Sequence, residues 1–141
     1  VTLNDSRLIT ELYHAFLLNK SALKNEMQRL ADEDAATLAH AISKAVEENI
    51  TNIIVATHVP PFPECSLHKG QPSDNNWLPY FASKATGDIL MAIADQHKQV
   101  NFLVLCGHTH SEATAKISAN LTVKTGKAEY YQPIIQEVIS I

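Results

Sequence analysis

Two histidines separated by one residue follow an apolar stretch late in the sequence. They are His108 and His110 in the segment LVLCGHTH, residues 103–110. A third histidine, His58, follows the apolar run NIIVAT at residues 52–57. Neutral imidazole nitrogens are ligands for zinc, iron, manganese and related ions. Histidines at the ends of two apolar runs therefore predict a metal site, provided that the fold brings them together.

The elements around these histidines predict how they meet. Residues 52–57 and 101–106 are short apolar runs, as expected of strands that are buried on both faces. Between them, residues 83–99 have apolar side chains at helical spacing, with Ser83 as a candidate N-cap. A strand, a helix and a strand in this order form a crossover unit whose parallel strands end at the same edge of the sheet. Ligands bind beyond that edge in open α/β sheets, so we expect the three histidines to converge there.

Gly107 lies directly before the two closely spaced histidines. A residue without Cβ adopts positive φ at little cost, so the sequence predicts a sharp turn at Gly107. Such a turn would make His108 and His110 face different directions. In two-metal sites the ions lie about 3.5–4 Å apart, so each histidine could bind a different ion.

The segments before the first strand predict helices. Residues 7–19 carry a helical stripe of apolar side chains, with Asp5 or Ser6 as the cap. Residues 21–49 predict a longer helix, with or without a break near the acidic residues 32–34.

The remaining segments predict a long loop and further strands. Residues 59–81 contain most of the six prolines and no regular period, which is typical of a functional or disordered loop. Alternation in residues 112–126 and 133–141 predicts two or three antiparallel strands. We therefore expect an α/β fold, with residues 1–141 forming one domain or part of one.

Composition limits the classes of partner and compartment. The formal charge of the 141 residues is -4, with acids and bases interspersed, so nucleic acid and anionic membrane surfaces are not expected partners. Cys65 and Cys106 lie far apart in unlike contexts, which favours a reducing compartment, and we expect a cytoplasmic protein. No stretch is long and apolar enough to predict a membrane span.

Two motifs, in this order, resemble those of a known family. THVPPF at residues 57–62 and GHTH at residues 107–110 each complete an apolar strand. They resemble the last two metal motifs of the calcineurin-like metallophosphoesterases. The opening VTLNDSRL also resembles the segment that follows the third metal motif of that family. Together these matches extend over most of the chain.

The resemblance implies a fold, a reaction and roles for three residues. The fold is an α/β/β/α sandwich of two mixed sheets flanked by helices, of which this chain would be the C-terminal half. The reaction is hydrolysis of a small-molecule phosphomonoester or phosphodiester by water that two metal ions activate, with manganese, iron or zinc as the metal. His58 and His108 would bind one ion and His110 the other. The catalytic general acid is unknown.

The sequence lacks several metal ligands that the family has. The family's N-terminal motifs D-x-H, G-D-x-x-D and G-N-H supply the other ligands. DQH at residues 95–97 lies in a predicted helix, GDILM at 87–91 lacks the second acid, and G-N-H does not occur. We therefore expect part of a longer enzyme, which alone binds one ion or none and is inactive. The missing half would leave sheet surfaces exposed, which favours homo-oligomers.

Other residues near the predicted site have simpler interpretations. His68, in the loop at residues 59–81, is a substrate-binding candidate or is solvated. Trp77, Tyr80 and Phe81 line a substrate pocket or, as we favour, attach the loop to the body of the domain. Structural or solvated roles are expected for His14, His40, His97, Tyr130 and Tyr131.

A second function class remains open. The chain is, in this alternative, a stand-alone binding or interaction module. Its three histidines then hold a single ion, such as zinc with an open fourth position, or no metal.

Overall fold

The computed structural model describes residues 3–140, which form a mixed α/β fold and confirm the predicted class. No helix in this part of the chain is both long and apolar enough to cross a membrane. The helices are α1 (Asp5–Leu8), α2 (Thr10–Leu18), α3 (Lys20–Glu47), α4 (Leu78–Phe81) and α5 (Lys84–Gln96). The strands are β1 (Asn52–Ala56), β2 (Leu67–His68), β3 (Gln71–Pro72), β4 (Asn101–Cys106), β5 (Ala113–Ser118) and β6 (Leu121–Thr125).

The main sheet has the strand order β1-β4-β6-β5. Strands β1, β4 and β6 are parallel to one another, and β5 pairs antiparallel with β6. The predicted crossover from β1 through α5 to β4 is therefore confirmed. At the β5–β6 turn, the Asn120 side-chain amide donates to the carbonyls of Ala94, His97 and Val100. These bonds attach the hairpin to the end of α5 and the start of β4.

One face of the sheet carries the core. Val104, Leu121 and Val123 are fully buried there. They pack with Leu90 of α5 and Ile42 of α3, because alternate residues of each strand point to the same face.

The opposite face of the sheet corrects a sequence prediction. Strand β1 is not buried on both faces, since Ile54 is 40% exposed and Ala56 is also exposed. It forms an edge of the sheet and has β4 as its single partner strand within residues 3–140. Residues 3–140 also do not form the two-sheet sandwich that the resemblance implies. Besides the main sheet, the described residues form a small β2–β3 ribbon.

The N-terminal helices differ from the prediction in their boundaries. The first predicted helix is divided into α1 and α2 by Ile9, whose backbone is extended. Asn4 occupies the N-cap of α1, without a side-chain hydrogen bond, instead of Asp5 or Ser6. Helix α3 continues through residues 32–34 without a break, because buried Ala35 maintains its apolar stripe into the second half.

The predicted long loop contains short regular elements. Residues 59–81 include a 3₁₀ turn at Pro63–Cys65, the β2–β3 ribbon and α4. After the β5–β6 hairpin, residues 133–140 form no strand, so the third predicted strand is absent there, and residue 141 lies outside the described part. The Gln136 side chain instead pairs with the backbone N–H and carbonyl of Lys127.

Candidate metal centre

The carboxyl ends of β1 and β4 remain paired beyond the strands themselves. The Thr57 N–H donates to the Leu105 carbonyl at 2.9 Å, and the Gly107 N–H donates to the His58 carbonyl at 3.0 Å. The segments that carry His58 and His108 are therefore held side by side at one edge of the sheet, as the topology predicted.

His58 and His108 bring their rings into contact at this edge. His108 Nδ1 lies 3.1 Å from His58 Nε2. The ring centroids are 4.9 Å apart, and the rings meet edge to face. His58 is exposed and His108 is half-buried, so the pair is open to solvent on one side.

The other ring nitrogen of His108 fixes its tautomer. His108 Nε2 lies 2.9 Å from the Tyr80 carbonyl oxygen, which can only accept a hydrogen bond. Nε2 therefore carries the proton in the neutral ring, and Nδ1 presents a lone pair toward His58. This lone pair can accept a hydrogen bond from His58 or bind a cation.

In the turn after β4, the chain reverses direction at the two histidines and not at Gly107. His108 has φ 67° and His110 has φ 58°, whereas Gly107 does not have a positive φ. The Thr109 N–H donates to the Gly107 carbonyl at 2.8 Å around His108, as in the rarer, strained form of γ-turn. The expectation of positive φ at Gly107 was therefore wrong. The Gly107 N–H is used in pairing with His58, so the chain turns one residue later.

His110 lies against the C-terminal segment. Its ring meets the Tyr130 ring edge to face, with centroids 4.8 Å apart. His110 also lines an open cleft of about 430 Å³ that residues 127–134 and Gln136 complete. No described contact joins His110 to the ring pair. Tyr130, for which we expected a structural role, is thus a neighbour of a predicted ligand.

Thr109, between the two histidines, is buried with 8% of its surface exposed. Its Oγ1 has no hydrogen-bond partner among residues 3–140. A buried hydroxyl without a partner is unfavourable, so the turn combines a polar desolvation cost with its backbone strain.

An aromatic segment borders the ring pair. The Phe81 ring lies 5.2 Å from the His108 ring, and the Trp77 ring lies 6.0 Å from the Phe81 ring, between centroids. None of the residues of α4 is buried, and Trp77 is 40% exposed. The Tyr80 carbonyl that positions His108 had no signal in the sequence, because every residue type has a main-chain carbonyl.

His68 lies in the exposed β2–β3 ribbon. The Lys69 N–H donates to Ser111 Oγ at 3.1 Å, which links this ribbon to the residue after His110. The ribbon is thus near the turn, and the substrate-binding role of His68 stays a prediction.

The two cysteines lie on the core side of the strand ends. Cys65 is fully buried, and burial raises the pKa of its thiol to about 12. Burial also raises the pKa of Cys106, whose Sγ lies 3.2 Å from Thr125 Oγ1. Both thiols therefore stay protonated at neutral pH, which fits packing roles better than metal ligation.

Among residues 3–140, no three His, Cys, Asp or Glu side chains are grouped as a metal site would require. The remaining histidines lie on other elements, namely His14 on α2, His40 on α3 and His97 at the C-terminal end of α5. The observed cluster is therefore limited to the His58–His108 pair, and His110, on the following turn, contacts Tyr130. Comparison of the chain with protein-family models, curated proteins and solved structures found no match.

Proposed function

We propose that this chain carries the histidine side of a binuclear metal centre in a phosphoesterase that resembles the calcineurin-like metallophosphoesterases. The observation that carries the proposal is the 3.1 Å separation of His58 Nε2 and His108 Nδ1 at adjacent strand ends. Two nitrogens that bind one zinc ion at about 2.0–2.1 Å, with roughly right-angled to tetrahedral geometry, lie about 2.9–3.4 Å apart. The two rings are thus spaced as ligands of a single ion.

The surroundings of His108 support the same role. Metal-binding histidines usually donate their second ring N–H to a carboxylate, a carbonyl or water, which fixes the ring orientation and increases its basicity. The Tyr80 carbonyl accepts this hydrogen bond from His108 Nε2. We therefore assign Tyr80 as the residue that positions His108 through its main chain.

The positive φ values of the turn separate the two histidines of GHTH. His58 and His108 would hold the first ion, and His110, whose ring contacts Tyr130, would be a ligand for a second. Such ions would supply activated water and neutralise phosphate oxygens. The phosphoester substrate then lies beyond the carboxyl edge of β1 and β4.

This chain alone is expected to be inactive. Three neutral imidazoles supply no negative charge, so two dications about 3.5–4 Å apart would repel each other without compensation. We expect no turnover of bis(p-nitrophenyl) phosphate in the presence of manganese. Activity that follows this chain through purification would contradict the assignment of an incomplete centre.

The second candidate function is a binding module with a mononuclear site. It is favoured by the absence, among residues 3–140, of any contact between His110 and the ring pair, and of a third grouped ligand. Metal stoichiometry of the isolated chain bears on both functions. One ion or none fits an incomplete centre or a module, and two ions would mean that further ligands are present in this chain.

Zinc titration by calorimetry tests the proposed ligands directly. We expect the wild-type chain to bind one zinc ion and His58→Ala to lose that binding step. His40→Ala is the matched control, because His40 is exposed on α3 and has no proposed role. Unchanged zinc affinity in His58→Ala would exclude the ring pair as a metal site and, with it, the proposed function.

A further inference from the structure

Two aromatic rings lead outward from the candidate metal pair. His108 contacts Phe81, and Phe81 contacts Trp77, with interplanar angles of 45° and 33°. Phe81 is half-buried and Trp77 is 40% exposed. We name the rings of Trp77 and Phe81 the aromatic platform. It begins at the predicted metal ligand and ends in solvent.

Main-chain hydrogen bonds help to hold the segment that carries the aromatic platform. The segment is held by its main chain, since the Tyr80 carbonyl contacts His108 and the Ser83 N–H donates to the Pro60 carbonyl at 2.9 Å. At its start, Asp74 Oδ1 accepts from the backbone N–H of Asn76 and Trp77. An aromatic side chain that attaches a loop to a domain is normally buried, but Trp77 is exposed and Phe81 is only half-buried.

Partly exposed aromatic rings beside the proposed phosphate-binding centre fit a specific class of ligand. Planar groups such as nucleobases stack on aromatic side chains, and this stacking tolerates differences in base identity because every base has a π-face. A phosphoester whose phosphate lies at the histidine pair would extend its organic group along the neighbouring platform. A saturated group would gain no comparable stacking.

We propose that Trp77 and Phe81 form a stacking subsite for a planar aromatic group joined to the phosphate, as in a nucleotide or an aryl phosphate. This inference rests on the proposed function, because the metal held by His58 and His108 must anchor the phosphate. The aromatic platform then determines which phosphoesters bind well, and the histidines determine that a phosphate is bound at all.

The experiment compares ligands that differ in the aromatic group alone. With zinc present, AMP, ribose 5-phosphate and phenyl phosphate are titrated by calorimetry into the wild-type chain. Because Trp77 is the single tryptophan of the chain, its fluorescence reports directly on stacking. We expect AMP and phenyl phosphate to bind about tenfold more tightly than ribose 5-phosphate and to quench Trp77. Preference for AMP alone would identify a nucleotide site, and preference for both would identify a general aryl site.

Two variants test whether the platform causes the preference. Phe81→Leu keeps an apolar side chain and the Trp77 reporter but removes the stacking face next to His108, so AMP should bind as ribose 5-phosphate does. Tyr13→Leu removes a 41% exposed aromatic ring on α2, outside the candidate site, and should keep the preference. Circular dichroism checks that both variants are folded.

The outcomes separate this inference from the proposed function. Equal affinity for AMP and ribose 5-phosphate, with both affinities dependent on zinc and on His58, overturns the stacking subsite and leaves the proposed function standing. A preference for AMP that persists in Phe81→Leu also overturns the subsite, as does the absence of measurable AMP binding. Tight binding of AMP that depends neither on zinc nor on His58 overturns the anchoring of the phosphate by the metal pair, and with it this inference.

Discussion

The helix-covered face of the sheet and the turn that follows β4 are adjacent in sequence but are stabilised in different ways. On the sheet, Val104 and Leu121 are fully buried and pack against α3 and α5. In the turn, His108 and His110 both have positive φ, and the buried Thr109 hydroxyl has no partner within residues 3–140. Apolar burial stabilises the first region, whereas the second adopts conformations that cost free energy.

The difference separates the part of the molecule that stabilises the fold from the turn that carries the candidate site. A strained turn persists when its surroundings over-determine it, and such turns concentrate at functional sites. Here the end of β4 is fixed on both sides, since the Gly107 N–H donates to the His58 carbonyl and the Gly126 N–H donates to the Cys106 carbonyl. The sheet thus holds a turn whose two imidazoles contact different neighbours, His58 and Phe81 for His108 and Tyr130 for His110.

The largest expected effect concerns the covered face. Leu121→Ala should lower the free energy of unfolding by about 3 kcal/mol, because it removes buried methyl groups and leaves a cavity beside Phe102. The matched control is Leu103→Ala, which truncates a half-buried leucine on the opposite face and should cost about 1 kcal/mol. Urea denaturation of both variants at low micromolar concentration measures the difference.

Equal losses in the two leucine variants would contradict the contrast between the faces. The comparison applies to samples that light scattering shows to be monomeric, because the association that we predict through the exposed sheet surface around Ile54 would itself cover Leu103.

The second prediction concerns the turn, where we expect a large effect on zinc affinity and a small effect on stability. His108→Ala should weaken zinc binding by about a hundredfold, since even changes in the residues behind a metal ligand cost about 10–100-fold. The free energy of unfolding should change by about 1 kcal/mol or less, because the hydrogen bonds and ring contacts of His108 are solvent-accessible on one side. Competition with a chromophoric chelator measures the zinc affinity. A large loss of stability with unchanged zinc affinity would assign His108 a purely structural role.

The same contrast explains what the sequence could predict. Strands β1 and β4 and helix α5 follow from hydrophobic period, which is a local property, and the contact of His58 with His108 follows from their parallel pairing. The exposed face of β1 did not follow, because β-branched runs look alike whether or not a second layer covers them.

The details of the turn were less predictable. Glycine is the residue that best tolerates positive φ, yet the backbone hydrogen bond of Gly107 to His58 moves the reversal to His108. The contact of His108 with the Tyr80 carbonyl depends on the path of a long loop and on a main-chain atom, neither of which leaves a residue pattern. Alternation in residues 133–141 predicted a strand, but a strand also needs a partner edge, and residues 133–140 form none.

A third prediction concerns pH and the buried thiol behind the strand ends. Burial raises the pKa of Cys65 from its ordinary value of 9.0 to about 12, so between these values the unfolded chain loses a proton that the folded chain keeps. This contribution to stability is fully present below pH 9 and is lost as the pH rises toward 12. The slope should reach at most about 1.4 kcal/mol per pH unit.

Cys65→Ala isolates this contribution from other groups that titrate at alkaline pH. The free energy of unfolding of the wild-type chain, followed by urea denaturation across the alkaline range, should fall more steeply than that of the variant. Parallel pH profiles would show that the Cys65 thiol is not shielded from water in the folded chain.

The smallest expected effect tests the strain in the turn itself. A non-glycine residue with positive φ costs about 1–2 kcal/mol, and glycine avoids this cost but adds about 0.5–1 kcal/mol of backbone entropy loss on folding. His110→Gly should therefore raise the free energy of unfolding by about 0.5 kcal/mol, even though it removes the ring contact with Tyr130. His68→Gly is the control, because His68 has no positive φ and glycine should destabilise the chain there. Destabilisation of similar size in both variants would mean that the His110 backbone is not strained, and that packing against Tyr130 holds the turn in place.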